Sequence, residues 1–599
     1  MPAKSPLDIE DPTLRLTIKV KGNVIKDYYP VISVHVVQEI NRISSAEITL
    51  IDGTDNSQDL PLSESDDFVP GNDIEILAGY GNEEPKSIFN GIIIKQALSL
   101  DAEHGFNLVV GCKHKAVMMT FNRMEEEYES IKDSDMISSV ISKYGLNATV
   151  DATNSQQDII FQKLATDWDF ILSRAGFYGY VTILEDDKIV IGKPIFDGEP
   201  LLRLAAGESI ISFHAELNAE KQSPSLNASA WSPDNQEIIK SQATEPTINT
   251  QGNLNAKGLS GKLNQSGLSL SSITPMQQDD LKTWADGRLM MMRLNAIKGQ
   301  ITFLGNADVK TGGLIELDGV GERFNGKAYV SAITHHIEDG AWNTIVKFGL
   351  DYNPIYERMD FSYPEATGQL PAIHGLQIGT VQKVFDDAPA TKSKILITLP
   401  SNAENQNGIW ARLSNFYATS GAGAFFLPEV GDEVIVGFLE SDPRHPIVLG
   451  ALYSNSRKPA VEVKDNNNYI KSLTTKSNLK VTFDDEKKII SIETPAGNSI
   501  TLNDEDGFIE MKDQNSNSIK MSSDGISLES KKDINIKATG DIVLDATGKL
   551  TLTAKQDAAI SGMNITNEAK TSFTAKGNAK AEISASGQTV VKGGLVMIN

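Results

Sequence analysis

Eight histidines and one cysteine carry most of this chain's capacity for metal binding or nucleophilic chemistry. The histidines are His35, His104, His114, His214, His335, His336, His374 and His445. A zinc site needs imidazoles that return to one face, as in H-E-x-x-H or H-x-H, and neither spacing occurs. His335 and His336 are adjacent, but their run YVSAITHHIEDG alternates like a strand, where neighbours point to opposite faces. A shared metal is therefore not expected. Cys112 is the sole cysteine, which excludes internal disulfides and thiolate clusters. Its setting, NLVVGCKHKAVMM, reads as a small buried strand residue rather than a nucleophile. The stretch NDEDG at 503–507 has the composition of a calcium loop but lacks the downstream bidentate glutamate. It reads as a hairpin turn between Ile500–Leu502 and Phe508–Met511. Met290, Met291 and Met292 read as packing, because thioethers take soft metals and no His or Cys lies beside them. With no phosphate-cradling glycine loop and no G-x-S-x-G, the sequence assigns no catalytic, cofactor or metal residue, and no enzyme is expected.

The elements around these residues point to a structural protein instead. At 599 residues the chain is too long for one core, so several domains are expected. No stretch approaches the roughly 18 unbroken apolar residues of a membrane helix. The N-terminus MPAKSPLDIEDPTLRL has no apolar run of signal-peptide type, so synthesis in the cytoplasm and export without a cleaved signal are expected. The net charge is −24. From Ser456 onward 19 basic residues balance 19 acidic ones, so the acid excess lies wholly in residues 1–455. Such a field disfavours nucleic acid and anionic lipid, and suits solubility or docking to a basic surface.

Residues 13–120 alternate apolar and polar side chains in TLRLTIKV, VISVHVV, AEITLID, DIEILAGY and NLVVGC, a β-rich block. Helices are predicted after Asp133, with Met136, Ile137, Val140, Ile141 and Tyr144 at helical spacing, and at TDWDFILSRAGF, capped by Thr166. Residues 200–365 form a second β-rich block, broken by a polar stretch near 244–272 that reads as a loop and by a helix from Met276 to Leu294. From Pro371, LQIGTVQKVF, KILITLP, GIWARLS, AFFLPEV, DEVIVGFL and PIVLGALY give five or six short strands, enough for a small OB-type barrel. Nucleic-acid-binding OB faces are basic and aromatic. These strands carry Asp386, Asp387, Glu429, Asp432, Glu433 and Glu440, which favours a structural role.

After Lys458-Pro459 tryptophan and cysteine vanish, and an internal repeat takes over. Ile526, Ile534, Ile542, Leu550 and Ala558 step by eight; so do Leu528, Ile536, Leu544, Leu552 and Ile560. Earlier pairs (Ile500 and Leu502, Ile509 and Met511, Ile519 and Met521) are less regular. Later ones (Phe573 and Ala575, Ala581 and Ile583, Thr589 and Val591) resume the step after a one-residue slip. Two apolar residues flanking one polar residue share a face of a short strand. That edge is too narrow for a core of its own, so the ribbon must close on others. One chain coiling with three octads per turn and three chains interwinding both satisfy the pattern. Leu595, Val596, Met597, Ile598 and Asn599 then form an apolar platform that needs a lid.

Residues 407–459, NGIWARLSNFYATSGAGAFFLPEVGDEVIVGFLESDPRHPIVLGALYSNSRKP, resemble the hallmark segment of the VgrG spike family. The matching positions are Trp410, Ala411 and Arg412; Phe426 and Pro428; Gly431, Asp432, Glu433, Val434, Val436 and Phe438; then Asp442, Pro443, Pro446 and Gly450. ATDWDFILSRAGFYGYV (165–181) resembles the family's hub helix, and YPVISVHVVQEINRISSAEITLIDG (29–53) its N-terminal strands. The compact N-terminal part is closer to the Rhs-element-Vgr subgroup, which includes spikes of type VI systems and of extracellular contractile injection particles. The resemblance implies a mainly β protein and a homotrimer, with a C-terminal intertwined β-helix, or β-prism, whose core holds the 526–560 octad residues. It implies residues 1–200 as a hub-like barrel with a helical insert, 201–369 as a second hub-like barrel, 370–458 as the OB fold, and 459–599 as the triple-stranded spike. Implied partners are a hexameric inner-tube protein, baseplate proteins, effectors and a PAAR-type tip protein on residues 595–599. The implied function is the spike of a type VI or extracellular contractile injection particle, which pierces the target membrane mechanically. The alternatives are the central spike of a contractile phage tail, or a β-helical polysaccharide depolymerase. The latter needs paired carboxylates on an aromatic sugar platform, which the aromatic-poor repeat does not offer.

Overall fold

The computed structural model describes residues 3–53, 59–101, 105–263, 266–272, 274–351, 355, 363–400 and 407–598. The chain is mainly β and divides into two units, Met1–Leu452 and Tyr453–Asn599.

The two β-rich blocks legible in the sequence are one sheet of thirteen strands. Strand Val31–Glu39 of the first block pairs antiparallel with Gly326–Glu338 of the second, with His35 opposite His336 and Val34 opposite Ile337. On one side of that junction the order runs through Ser45–Ile51, Gly105–Lys113, Lys86–Asp101, Asp73–Tyr80 and Leu14–Val20. On the other it runs through Ala341–Phe348, Ile297–Leu304 and Ile210–Leu217. Alternation buries one face of each half. Val34, Ile48, Leu50, Phe68, Ile76 and Leu108 pack in the first core. Ile301, Phe303, Ile315, Val330, Val346 and Phe348 pack in the second. Cys112 lies in the first core, 1% exposed, and burial pushes its thiol up to about 12.

A helical lobe lies between the two blocks. Helix α1 (Asp133–Ser142) buries Met136, Ile137, Val140 and Ile141. Helix α2 (Asp167–Phe177) starts at Thr166, whose hydroxyl accepts the Asp169 N–H at 3.1 Å. A long antiparallel pair, Arg123–Lys132 with Gln156–Thr166, flanks them. The polar stretch read as a loop near 244–272 instead holds helix α3 (Ala256–Lys262), capped by Asn255, and strand Leu268–Ser271, which joins a three-stranded sheet. Asn255 at a cap and the alternation LSLS were local signals masked by the Ser/Asn/Gly composition. Helix α4 (Gln278–Leu294) packs Leu281, Ala285 and Leu289 on that sheet. Buried Arg293 ties it down, with Nε 2.6 Å from Glu245 Oε1.

Strands Gln377–Lys383, Lys394–Thr398, Ile409–Leu413, Pro446–Leu452 and Glu433–Phe438 close a five-stranded barrel around Val381, Ile397, Ala411, Val434 and Val448. AFFLPEV is not one of its strands. It lies in an arm between Leu413 and Glu433, where Phe425 and Phe426 are 82% and 62% exposed.

The second unit begins as a seven-stranded antiparallel meander from Ile470 to Glu529. NDEDG is one of its hairpin turns, with Gly507 at φ 66 and the Asn503 carboxamide oxygen accepting the Asp506 N–H at 2.9 Å. Left-handed residues at Asn478, Lys488, Gly497, Ser516 and Gly525 mark the other turns, which accounts for the irregular steps of this segment.

Candidate spike and docking surfaces

The meander is two-faced. Cross-strand register lines up Val481, Ile492, Ile500, Met511, Ile519 and Leu528 in one row. Phe483, Ile490, Leu502, Ile509, Met521 and Ile526 form the next row on the same face. The opposite face carries Thr482, Ser491, Thr501, Glu510, Lys520 and Ser527. Within the chain the apolar rows stay open: Ile492 is 45% exposed, Met511 47% and Leu528 51%. A continuous apolar strip of this length marks an interaction surface.

Beyond Glu529 the described chain runs as short extended segments between bends. Two-residue bends fall at Lys531-Lys532, Thr539-Gly540, Thr547-Gly548 and Lys555-Gln556, each eight residues after the last. A single-residue bend follows at Met563, then two-residue bends at Lys570-Thr571, Asn578-Ala579, Ser586-Gly587 and Gly594-Leu595. Ile534, Ile536, Ile542, Leu544, Leu550, Leu552 and Ile560 occupy the second and fourth positions of their segments. All are exposed, from 49% at Ile534 to 77% at Ile560; Ile526 and Leu528 sit in the last strand of the meander. Among the described residues, none from 530 to 598 enters an intrachain strand pair. Leu595, Met597 and Ile598 are 81%, 75% and 90% exposed, and Asn599 lies outside the described residues.

The barrel residues quoted from the sequence hold its turns and seams. Gly431 (φ 87) donates its N–H to the Val381 carbonyl at 2.7 Å, a conformation L side chains rarely adopt. The Asp432 carboxylate accepts the Glu429 N–H at 2.8 Å, and Glu433 opens the next strand opposite Thr380 and Leu452. Trp410 faces Leu396 across one seam, and Arg412 faces Lys394 and Ile447 across two. Gly450 sits beside a bulge opposite Ile435, and Pro428 lies in the exposed arm. Ahead of Asp442 and Pro443, Glu440 and Ser441 adopt φ of 50° and 58°. Asp442 clamps that turn by taking the Arg444 guanidinium, Nη2 to Oδ2 2.6 Å, and the Arg444 N–H at 2.8 Å. The guanidinium pulls the Asp442 carboxyl down to about 2. These contacts make a scaffold, with no nucleophile or paired carboxylates among them.

The histidines separate as the alternation requires. His335 is buried; its Nδ1 takes the Trp342 indole N–H at 3.3 Å and lies 3.0 Å from Thr344 Oγ1. Burial brings its pKa down to about 3, helped by Lys310. His336 faces outward, its Nε2 3.0 Å from Glu338 and its ring 5.9 Å from that of His35. Among the described residues no group of three or more His, Cys, Asp or Glu is placed to hold a metal; His104 lies outside them. No helix among the described residues is long and apolar enough to cross a membrane.

The first unit also holds a cleft of about 1380 Å³ that the sequence did not signal. Its floor is a row across five strands, His214, Gln300, Lys347, Ala332 and Glu39. Helices α2 and α4 wall it with Trp168, Leu172, Phe177 and Trp284. Seven Arg and Lys line it against four Asp and Glu, reversing the sign of the chain as a whole. Its residues come from positions scattered between 39 and 355, so no local motif could have announced it.

Along the chain, a closed five-stranded barrel follows the thirteen-stranded sheet, and a repeat with an open apolar edge follows the barrel. Residues 377–453 match the type VI secretion system/phage-baseplate injector OB domain, and residues 10–339 match the Alg8 N-terminal domain. The type VI secretion system spike protein VgrG5 of Pseudomonas aeruginosa is 36% identical over 64 residues, covering 11% of this chain and 8% of that protein. VgrG1b of the same organism is 28% identical over 130 residues, 20% of this chain and 18% of its own length. A type VI component from E. coli described as similar to the T4 tail proteins gp27 and gp5 aligns at 11% identity and TM-score 0.38, over 73% of this chain and 99% of its own. Over residues 10–339, more than half of its length, the chain belongs to the family of the Alg8 N-terminal domain, and over the shorter stretches above it is similar to VgrG spike proteins. The matched stretches span less than a fifth of the curated relatives' length.

Proposed function

We propose that this chain is the spike and hub subunit of a contractile injection machine, that it works as a homotrimer, and that its task is mechanical rather than catalytic. The observation that carries this reading is the pair of apolar rows on the meander, continued by corners at eight-residue steps with no intrachain strand pairing among the described residues. A single coil of three octads per turn would pair each segment with the one 24 residues on. Three chains would instead leave each chain's backbone bonds to its neighbours, and the trimer agrees with what is described. Burying the rows at about 25 cal/mol per Å² makes association strongly favourable.

On this reading the hub caps a hexameric inner tube and meets baseplate proteins, while Leu595, Val596, Met597 and Ile598 seat a PAAR-type tip carrying effectors. The protein is assembled in the cytoplasm and leaves with the particle. Light scattering on the full chain tests the core of this: the expected mass is three times 65.0 kDa, and a stable 65.0 kDa monomer at working concentration would overturn the reading.

A further inference from the structure

We infer that Asn567 closes an amide ring between three copies of the chain and sets their register at a built-in irregularity of the spike. This rests on the trimeric reading above. The bends divide 533–598 into segments whose second and fourth positions are the inward slots. The fourth slots read Ile536, Leu544, Leu552, Ile560, Asn567, Ala575, Ile583 and Val591. The second slots read Ile534, Ile542, Leu550, Ala558, Ile565, Phe573, Ala581, Thr589 and Met597. Asn567 is thus the one amide in these slots among the described residues. Thr589, the other polar member, can bond its own backbone.

A repeat of equal octads specifies register poorly, since a slip of one octad returns aliphatic side chains to aliphatic surroundings. Two features break that equivalence in the same place. The corner at Met563 is one residue long where the others are two, so octads before and after it are out of phase. Met563 is 98% exposed at this tight corner, and Gly562 packs beside it, where an added Cβ would sit 3.4 Å from the Asn564 carbonyl. The next segment then brings Asn567 to the axis. In register, three carboxamides meet at one height, and each donates to the next. Displaced by one octad, an amide faces Ile560 or Ala575 and loses its partners, which a buried amide does not tolerate. The same logic lets one buried Asn fix alignment in coiled coils.

The test uses the full chain with Ser584→Cys as an outward spin-label site, Cys112 being buried. Light scattering first establishes the mass; a monomer here sinks the trimeric reading itself. Dipolar spectroscopy on the trimer should give a single inter-label distance, and several distances would overturn register-setting at once. Asn567→Leu should keep the trimer, because an apolar residue in an apolar slot holds at least as well, but should add further distances from slipped chains. An unchanged single distance in Asn567→Leu, or loss of the trimer in it, overturns the proposal.

Discussion

Arg174 grips Asp133 with two nitrogens, Nε to Oδ1 at 2.6 Å and Nη2 to Oδ2 at 2.9 Å, while Tyr178 donates its hydroxyl to the same carboxylate at 2.6 Å. Asp133 is fully buried in the first turn of α1, and Arg174 and Tyr178 belong to the end of α2, so this knot fixes the helical lobe. Asp133→Ala should cost about 3–5 kcal/mol, because it strands a largely buried guanidinium. Chemical denaturation of the variant checks it; a loss below about 1 kcal/mol, the scale of an exposed pair, would show that the pair is solvent-screened.

Gly287 in α4 touches Gly179 just after α2. A Cβ on Gly287 would stand 2.7 Å from the Gly179 nitrogen. In most helices Gly→Ala is stabilising by up to about 1 kcal/mol. Here backbone meets backbone and cannot yield, so Gly287→Ala should destabilise by about 1–3 kcal/mol. The sign of the shift in the denaturation midpoint decides between them.

His335 supplies a pH dependence. Its folded pKa, about 3, lies below that of the unfolded chain, so the unfolded state takes up the proton first as pH falls. The stability it confers is complete above about pH 6.5 and is lost progressively toward pH 3, at up to about 1.4 kcal/mol per pH unit. Between pH 6.5 and 5, above the main carboxylate range, a His335→Gln variant should lose stability with a flatter slope than the wild type. Parallel slopes would show that the buried imidazole is protonated in the folded protein.

Ile536→Asp or Leu544→Asp should place three carboxylates together on the spike axis. Unpaired buried charges cost several kcal/mol each, so the trimer should dissociate or lose its heat resistance. Retention of both, read by scattering and a thermal scan, would put these side chains on the outside.

Local chemistry made some elements legible and long-range pairing hid others. The Thr166 cap, the stripe Met136–Ile141 and the eight-residue corners are signals that act within a turn or two, and they sit where the spacing put them. The joining of Val31–Glu39 to Gly326–Glu338 is different, because alternation fixes which face a strand buries and not which distant strand it meets. The strand RMEEEYESIK escaped because four glutamates blur its alternation; Met124, Tyr128 and Ile131 are its half-buried apolar residues. The cleft was invisible for the same reason as the sheet, being assembled from both blocks and two helices.

The corner spacing has one more consequence. On the trimeric reading, the units on either side of Met563 use eight residues each, so the length of the shaft is set by counting, and an added eight-residue unit away from Met563 should extend it by one storey without disturbing what stands above or below. On the function proposed above, reach toward a target could then be adjusted by duplication of a short stretch of gene, with the irregular storey as the fixed mark from which the others are measured.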